Sequence, residues 1–317
     1  MKSPKRTQED DKDGGEQILG KPFLKWVGGK SQLLEEIFKS FPNKIFHSQK
    51  STYVEPFVGG GSVLFKILRE QQNIRRAVLN DINPALISTY ICVRDNPGAL
   101  LEELSKLERD YFALPESGNS RRDFFLSRRA EFNTLTTSQK NSKQEIRVPA
   151  LLIFLNRTCF NGLFRVNSRG EFNVPFGKYK NPKICDPETI FANSALLQKT
   201  EILCGDFDKT LQYADGNALF YLDPPYKALS PTSSFNAYAQ GGFDDNAQIR
   251  LRDFCRTLHE RGAKWVLSNS DAPDGNGAPF FDKIYAGFRI RRVFASRMIN
   301  ADPAKRGKLA EVLISNF

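Results

Sequence analysis

The chain has 317 residues, 40% hydrophobic and 26% charged, the balance of a folded protein rather than of a disordered or fibrous one. Forty-six Lys and Arg stand against 36 Asp and Glu, a net charge of +10 that points to a polyanionic partner, nucleic acid first. Two histidines, His47 and His259, and five scattered cysteines without a Cys-x-x-Cys pair speak against a metal site, a disulfide framework and Ser-His-Asp chemistry.

Residues 1–20 are polar, nearly neutral and low in aromatics, and are expected to form a disordered tail. From Pro22 the texture changes to apolar strands alternating with amphipathic helices. Thr52–Phe57 leads into Gly59-Gly60-Gly61, Ala77–Leu79 into Asn80-Asp81, Ala218–Leu222 into Asp223-Pro224-Pro225-Tyr226, and Trp265–Leu267 into Ser268-Asn269. Continuous apolar runs suit buried parallel strands, and helical stretches such as 62–70 and 245–261 lie between them. The pattern predicts an α/β doubly wound sheet. Residues 289–297 and 308–317 read as two last strands joined by a Gly-containing loop.

Between Asp81 and Asp223 the alternation breaks. Helices over 97–112, 121–135 and 148–156 precede a polar stretch rich in Gly, Asn and Arg. Residues 86–200 are read as an inserted domain, leaving 21–85 and 201–317 for the sheet. The longest apolar run near the middle, Ala150–Leu155, is too short to span a bilayer, and no signal peptide opens the chain. The expectation is a cytoplasmic protein without a membrane partner.

Glu55-Pro56-Phe57-Val58-Gly59-Gly60-Gly61 lies between a strand and a helix, where glycines let backbone approach a ligand. A dinucleotide fingerprint would need glycine at Leu64, and a P-loop ending at Gly29-Lys30-Ser31 would need it at Leu24. What remains is a glycine turn followed, 20 residues after Gly61, by Asp81, a spacing that suits a carboxylate meeting ribose hydroxyls. This points to an adenosine ligand without pyrophosphate, S-adenosylmethionine being the common one; the plainer reading is a tight turn and a helix-capping Asp. Upstream, Trp26 can pack on such a ligand and Lys30 can neutralise its carboxylate, unless the pair simply starts a helix with a core Trp. Asp206-Phe207 marks a third strand end. There Asp206 can meet the adenine amino group and Phe207 can stack on the ring, or the pair can be a strand-to-helix cap.

Asp223-Pro224-Pro225-Tyr226 is the most specific signal. An exocyclic amino group is a poor nucleophile because its lone pair is delocalised into the ring. A site that methylates it needs acceptors for both N–H hydrogens, which the Asp223 carboxylate and the Pro224 carbonyl can supply. The prolines restrict the turn and bring no competing N–H, and Tyr226 offers a face to an extruded base. The plainer reading is a rigid exposed turn.

Leu155–Cys185 carries Arg157, Arg165, Arg169, Lys178, Lys180 and Lys183 against the single acid Glu171, a net +5 and half of the chain's excess. Phe160, Phe164, Phe172, Phe176 and Tyr179 interleave with them. Turn signals at Asn161-Gly162 and Ser168-Arg169-Gly170 predict a β-hairpin able to enter a major groove. Arg is the usual reader of guanine and Asn of adenine, with Leu163 and Pro175 available to a thymine methyl. A basic solvated loop is the alternative.

With these residues assembled, the chain resembles the Dam-type DNA adenine-N6 methyltransferases over about residues 22–317. The resemblance rests on Phe23–Lys30, Val54–Gly59, Asn80–Asn83, Asn161–Arg165, Arg169–Gly177, Asp223–Tyr226 and Phe235-Asn236-Ala237-Tyr238, in the family's order. It implies a Rossmann-like methyltransferase sheet with an inserted, mainly helical target-recognition domain carrying the hairpin. It implies S-adenosylmethionine at Trp26, Lys30, Glu55, Phe57, Gly59, Gly61, Asp81, Asp206, Phe207 and Asp223. Asp223, Pro224 and Tyr226 would hold the flipped adenine. Double-stranded DNA would meet Arg157, Phe160, Asn161, Leu163, Arg165, Asn167, Arg169 and Pro175, with Arg165 the guanine reader and GATC the site. A monomer, a companion restriction endonuclease and no metal complete the expectation. Three successive glycines stand where relatives often have Gly-Ala-Gly, and 297–308 departs from its counterpart. Two alternatives remain open: an amino methyltransferase acting on another nucleic acid or a protein amide, and a DNA-binding relative without catalysis.

Overall fold

The computed structural model describes residues 20–26, 28, 30, 33–42, 45–46, 51–71, 73–137, 146–228, 243–296 and 308–317. The Phe235–Tyr238 block, the 1–19 tail and the loop after residue 296 lie outside them.

A seven-stranded sheet in the order β3-β2-β1-β4-β5-β7-β6 organises the chain. Its strands are β1 Thr52–Glu55, β2 Arg76–Asp81, β3 Thr200–Cys204, β4 Ala218–Leu222, β5 Lys264–Ser270, β6 Arg289–Ser296 and β7 Lys308–Ser315. The first five are parallel, whereas β7 runs antiparallel between β5 and β6. This is the doubly wound, Rossmann-like sheet that the sequence predicts, and the two terminal strands form where the sequence places them. Every residue of β1 and β4 is buried, which explains the unbroken apolar run of β4, whereas β1 takes Thr52 and Glu55 inside with Tyr53 and Val54. The order reverses at β1, with β2 on one side and β4 on the other, and ligands gather at such switch points beyond the carboxyl ends.

Helices α1 Leu34–Lys39 and α2 Ser62–Glu70 precede α3 Pro84–Asp95, which Asn83 caps by accepting from the amides of Ala85 and Leu86. The helix-capping role open to Asp81 therefore falls to Asn83. Then come α4 Pro97–Phe112, α5 Ser120–Thr137, α6 Arg147–Thr158 and α7 Pro187–Leu197. The boundary read at residues 85 and 86 falls inside α3, whose buried Leu86, Ile87, Tyr90 and Val93 join one apolar cluster with Leu79 of β2 and Leu151–Leu155 of α6. The helical insertion thus shares a core with the sheet. A second cluster fills the opposite face, around Trp265, Phe254 and Tyr285.

The hairpin is built from paired segments on either side of a tight tip. Cys159 pairs with Phe176 and Val166 with Phe172, both antiparallel. Asn167 donates to Glu171 O at 2.9 Å and Asn173 to Arg165 O at 3.1 Å. Helix α5 holds it through Asn133, whose amide accepts from Phe172 N at 2.8 Å and donates to Phe172 O at 3.1 Å.

Candidate active site and nucleic-acid interface

The carboxyl ends of β1, β2 and β3 are laced together from the middle strand. Asn80 Nδ2 donates to Pro56 O at 3.0 Å and to Gly205 O at 2.9 Å, so one buried amide hangs the flanking turns from β2. Asp81 accepts from Gly59 N at 3.1 Å and from Asn83 N at 3.0 Å. Burial raises its carboxyl above the ordinary value, and those backbone amides pull it partly back.

The glycines of the turn are required by contact. Gly61 caps α2 in the left-handed region at φ 72°, and a β-carbon there would lie 2.5 Å from the Tyr90 hydroxyl. A β-carbon at Gly59, φ 48°, would lie 2.9 Å from the Trp26 ring. Trp26 covers this turn and stacks on Phe164 at 5.2 Å, so it is not the start of a helix. Ile82, 73% exposed beside Asp81, adds an apolar wall that sequence reasoning passed over. A fixed carboxylate, a glycine cradle and an exposed aliphatic wall fit an adenosine group that lacks a pyrophosphate.

Other predicted cofactor residues sit deeper. Glu55 is 2% exposed, accepts from the Tyr53 hydroxyl at 2.5 Å, and burial pushes its carboxyl up to about 8. Phe57 and Phe207 pack on each other at 5.4 Å. Phe207 is buried, and the Arg250 guanidinium covers its ring at 4.3 Å, so it forms wall rather than an open stacking face. Asp206 serves as a cap, accepting from Asp208 N at 3.0 Å, and pairs with Arg250 at 2.6 Å. The capping alternative is thus present at Asp206.

The Asp223–Tyr226 turn is held from every side. Lys30 Nζ lies 2.8 Å from Asp223 Oδ1 and 4.4 Å from the centre of the Tyr226 ring. Expected to meet a ligand carboxylate, Lys30 instead pairs with Asp223, because its buried ammonium needs an opposite charge at hand. Ser268 Oγ donates to the same Asp223 oxygen at 3.1 Å. Gln248 Nε2 reaches Pro225 O at 3.1 Å, and the Tyr226 hydroxyl donates to Glu311 on β7 at 2.7 Å. Asp223 Oδ2 and the Pro224 carbonyl accept no hydrogen bond from the described residues. Burial raises the Asp223 carboxyl above its ordinary value, and Lys30 opposes that rise. Glu311 had no sequence signal, since it lies on a strand remote from every motif.

On the hairpin, Phe160, Asn161, Arg165, Arg169 and Pro175 are exposed, and Leu163 and Asn167 are half-buried. Asn161 takes φ 55°, which turns the chain at the 160–162 turn beside the Cys159–Phe176 pair. Arg165 donates to Asn173 Oδ1 at 2.7 Å, a neutral partner that leaves its charge uncompensated. Arg169 is paired with Glu171 at 3.0 Å. Arg157 is the exception among the predicted DNA residues. It points inward and donates to Phe23 O at 2.9 Å, and burial lowers its pKa. Its place on α6 next to the core decides this.

The doubly wound sheet, the glycine turn and the Asp223–Tyr226 turn at one sheet edge have the layout of a methyltransferase. Residues 26–299 match the family model of D12 class N6 adenine-specific DNA methyltransferases. The chain is 45% identical to a type II methyltransferase, M.MjaIII, of Methanocaldococcus jannaschii, over 94% of this chain and 99% of that one. It is 36% identical to a DNA adenine methylase of Haemophilus influenzae, over 94% of each, and 34% identical to that of Escherichia coli over 92% and 93%. The chain belongs to the D12 class N6 adenine-specific DNA methyltransferase family. It is a DNA adenine methyltransferase, and S-adenosylmethionine is its methyl donor.

Proposed function

We propose that the enzyme methylates N6 of an adenine flipped out of duplex DNA within GATC. The observation that carries the chemistry is the asymmetry of Asp223. Lys30 and Ser268 occupy Oδ1, which leaves Oδ2 and the Pro224 carbonyl as a pair of acceptors for the two amino hydrogens. Accepting both draws the nitrogen toward a tetrahedral shape and directs its lone pair outward. The cofactor supplies an electrophilic methyl group on a sulfonium. A nitrogen–carbon bond would form as the carbon–sulfur bond breaks, leaving the sulfur as a neutral thioether, and the surplus amino proton would pass through the Asp223 carboxylate to solvent. The amino group becomes acidic only as the methyl arrives, so positioning outweighs basicity. Lys30 covers one face of Tyr226, and the other is the face on which we place the base.

Among the cofactor residues, Asp81 is assigned to the ribose, and Trp26, Gly59 and Gly61 to the cradle. Lys30, Glu55, Phe57, Asp206 and Phe207 support that cradle from behind. On the DNA side, Arg165 reads guanine with Asn161 and Leu163 beside it, and Phe160, 50% exposed, is the wedge at the vacated base step. Asn167, Arg169 and Pro175 flank them. The relatives named DNA adenine methylase support action on a short adenine-containing site, and the one named type II methyltransferase supports a companion restriction endonuclease. We take the active form to be a monomer.

The test uses labelled S-adenosylmethionine with two duplexes, one containing GATC and one lacking it. Label is expected in the first alone. Equal label in both overturns the assigned site, and label in neither, with cofactor bound, overturns the activity.

A further inference from the structure

Asn156, at the end of α6, is 2% exposed and uses its whole side-chain amide. Its Oδ1 accepts from Lys25 N at 2.9 Å, and its Nδ2 donates to Lys25 O at 2.8 Å and to Gly162 O at 2.9 Å. The two bonds to Lys25 reproduce the exchange between neighbouring strands, made here by a side chain.

The bonded segments lead in opposite directions. One residue beyond Lys25, Trp26 covers the glycine turn at Gly59 and Gly60. Further along, Lys30 pairs with Asp223 at 2.8 Å. On the other side, Gly162 follows Asn161 and opens the 163–165 reading stretch. The segments also touch directly. A β-carbon at Gly162 would lie 2.6 Å from the Lys25 side chain, and Phe164 stacks on Trp26 at 5.2 Å. A displacement of the reading loop is therefore carried to the ring over the cofactor cradle, with Asn156 as the common anchor.

We propose that Asn156 is a positioning residue that couples DNA reading at 160–165 to occupancy of the cofactor cradle. The proposal rests on the cradle and reader assignments above. Coupling of this kind is reciprocal, and typical values change affinity by about 5–150-fold.

The experiment measures the dissociation constant for a GATC duplex with and without saturating S-adenosylhomocysteine, in the wild type, Asn156→Ala and Gly162→Ala. The wild type is expected to bind DNA at least about fivefold more tightly with the cofactor product present. In both variants that ratio is expected to fall toward one, and in Asn156→Ala each ligand alone still binds. Gly162→Ala disturbs the same joint without removing the buried amide, so it carries the test if Asn156→Ala does not fold. A merely structural role would weaken both ligands along with the melting temperature and leave the ratio intact, which overturns the proposal. A wild-type ratio of one overturns it as well. Methyl transfer by the wild type in the same preparation reports on the functional reading separately.

Discussion

The sheet edge and the reading hairpin solve opposite problems. At the edge, charged groups are buried and almost every polar atom is committed: Lys30 to Asp223, Asp81 to two backbone amides, Tyr226 to Glu311. Along the hairpin Phe160, Asn161, Arg165, Arg169 and Pro175 stand in solvent, and the backbone is held by others, notably Asn133 of α5. Chemistry at a developing charge gains from preorganisation inside a desolvated pocket. Reading requires donors that can exchange water for a base edge. Paired polar groups are concentrated at the sheet edge, and exposed basic and aromatic side chains along the hairpin.

The sharpest way to break this comparison is Asp223→Ala. Transfer is expected to fall by at least about 10²-fold, the cost of losing one preorganised polar group, in single-turnover assays. DNA affinity should hold within a few fold; if it collapses as well, the two regions are not separate. Arg165→Ala is the converse. It should cost about 1–3 kcal/mol of discrimination at one base pair while transfer to any bound site persists, read by comparing single-base variants of the duplex. Arg169→Ala should cost less, because Glu171 already neutralises that arginine.

Charge burial at the edge makes the next two tests. Activity needs Asp223 ionised, so it should fall as pH drops through a carboxyl value lying above the ordinary range. Lys30→Met removes the group that opposes the rise and should move the acid limb of the pH–rate profile upward. An unmoved limb would detach Asp223 from Lys30. Glu55, ordinarily near 4.5 and pushed to about 8 in the fold, binds its proton more tightly when folded. Its contribution to stability is therefore greatest below about 4.5 and declines as pH rises toward about 8. Glu55→Gln should flatten that decline in melting temperature against pH.

The smallest effect is expected at Arg157. Arg157→Ala should leave base selection unchanged and lower stability by about 1.5–3 kcal/mol, the range for losing a hydrogen bond from a charged group. Altered selection with unchanged melting temperature would return this residue to the DNA surface.

Much of this was legible because each motif sits at the end of a buried strand. The strands before Gly59, Asp81 and Asp223 each have an apolar centre, and parallel pairing brings their ends to one edge. Arg157 was misread because six basic residues between Leu155 and Cys185 look alike in a list, whereas one of them lies a helical turn from the core. Phe207 was misread for a similar reason: an aromatic at a strand end looks the same whether its face is open or covered. Glu311 and Asn156 left no signal, since their partners lie 85 and 131 residues away.

The sequence by itself determined the doubly wound sheet and the chain order of the glycine turn, the basic hairpin and the Asp223–Tyr226 turn, because period, spacing and residue chemistry are local properties. The tertiary structure decided which oxygen of Asp223 is occupied by Lys30 and Ser268, and that one buried amide, Asn156, bonds both Lys25 and Gly162. Those outcomes depend on which groups lose water together, and only the packed chain specifies that.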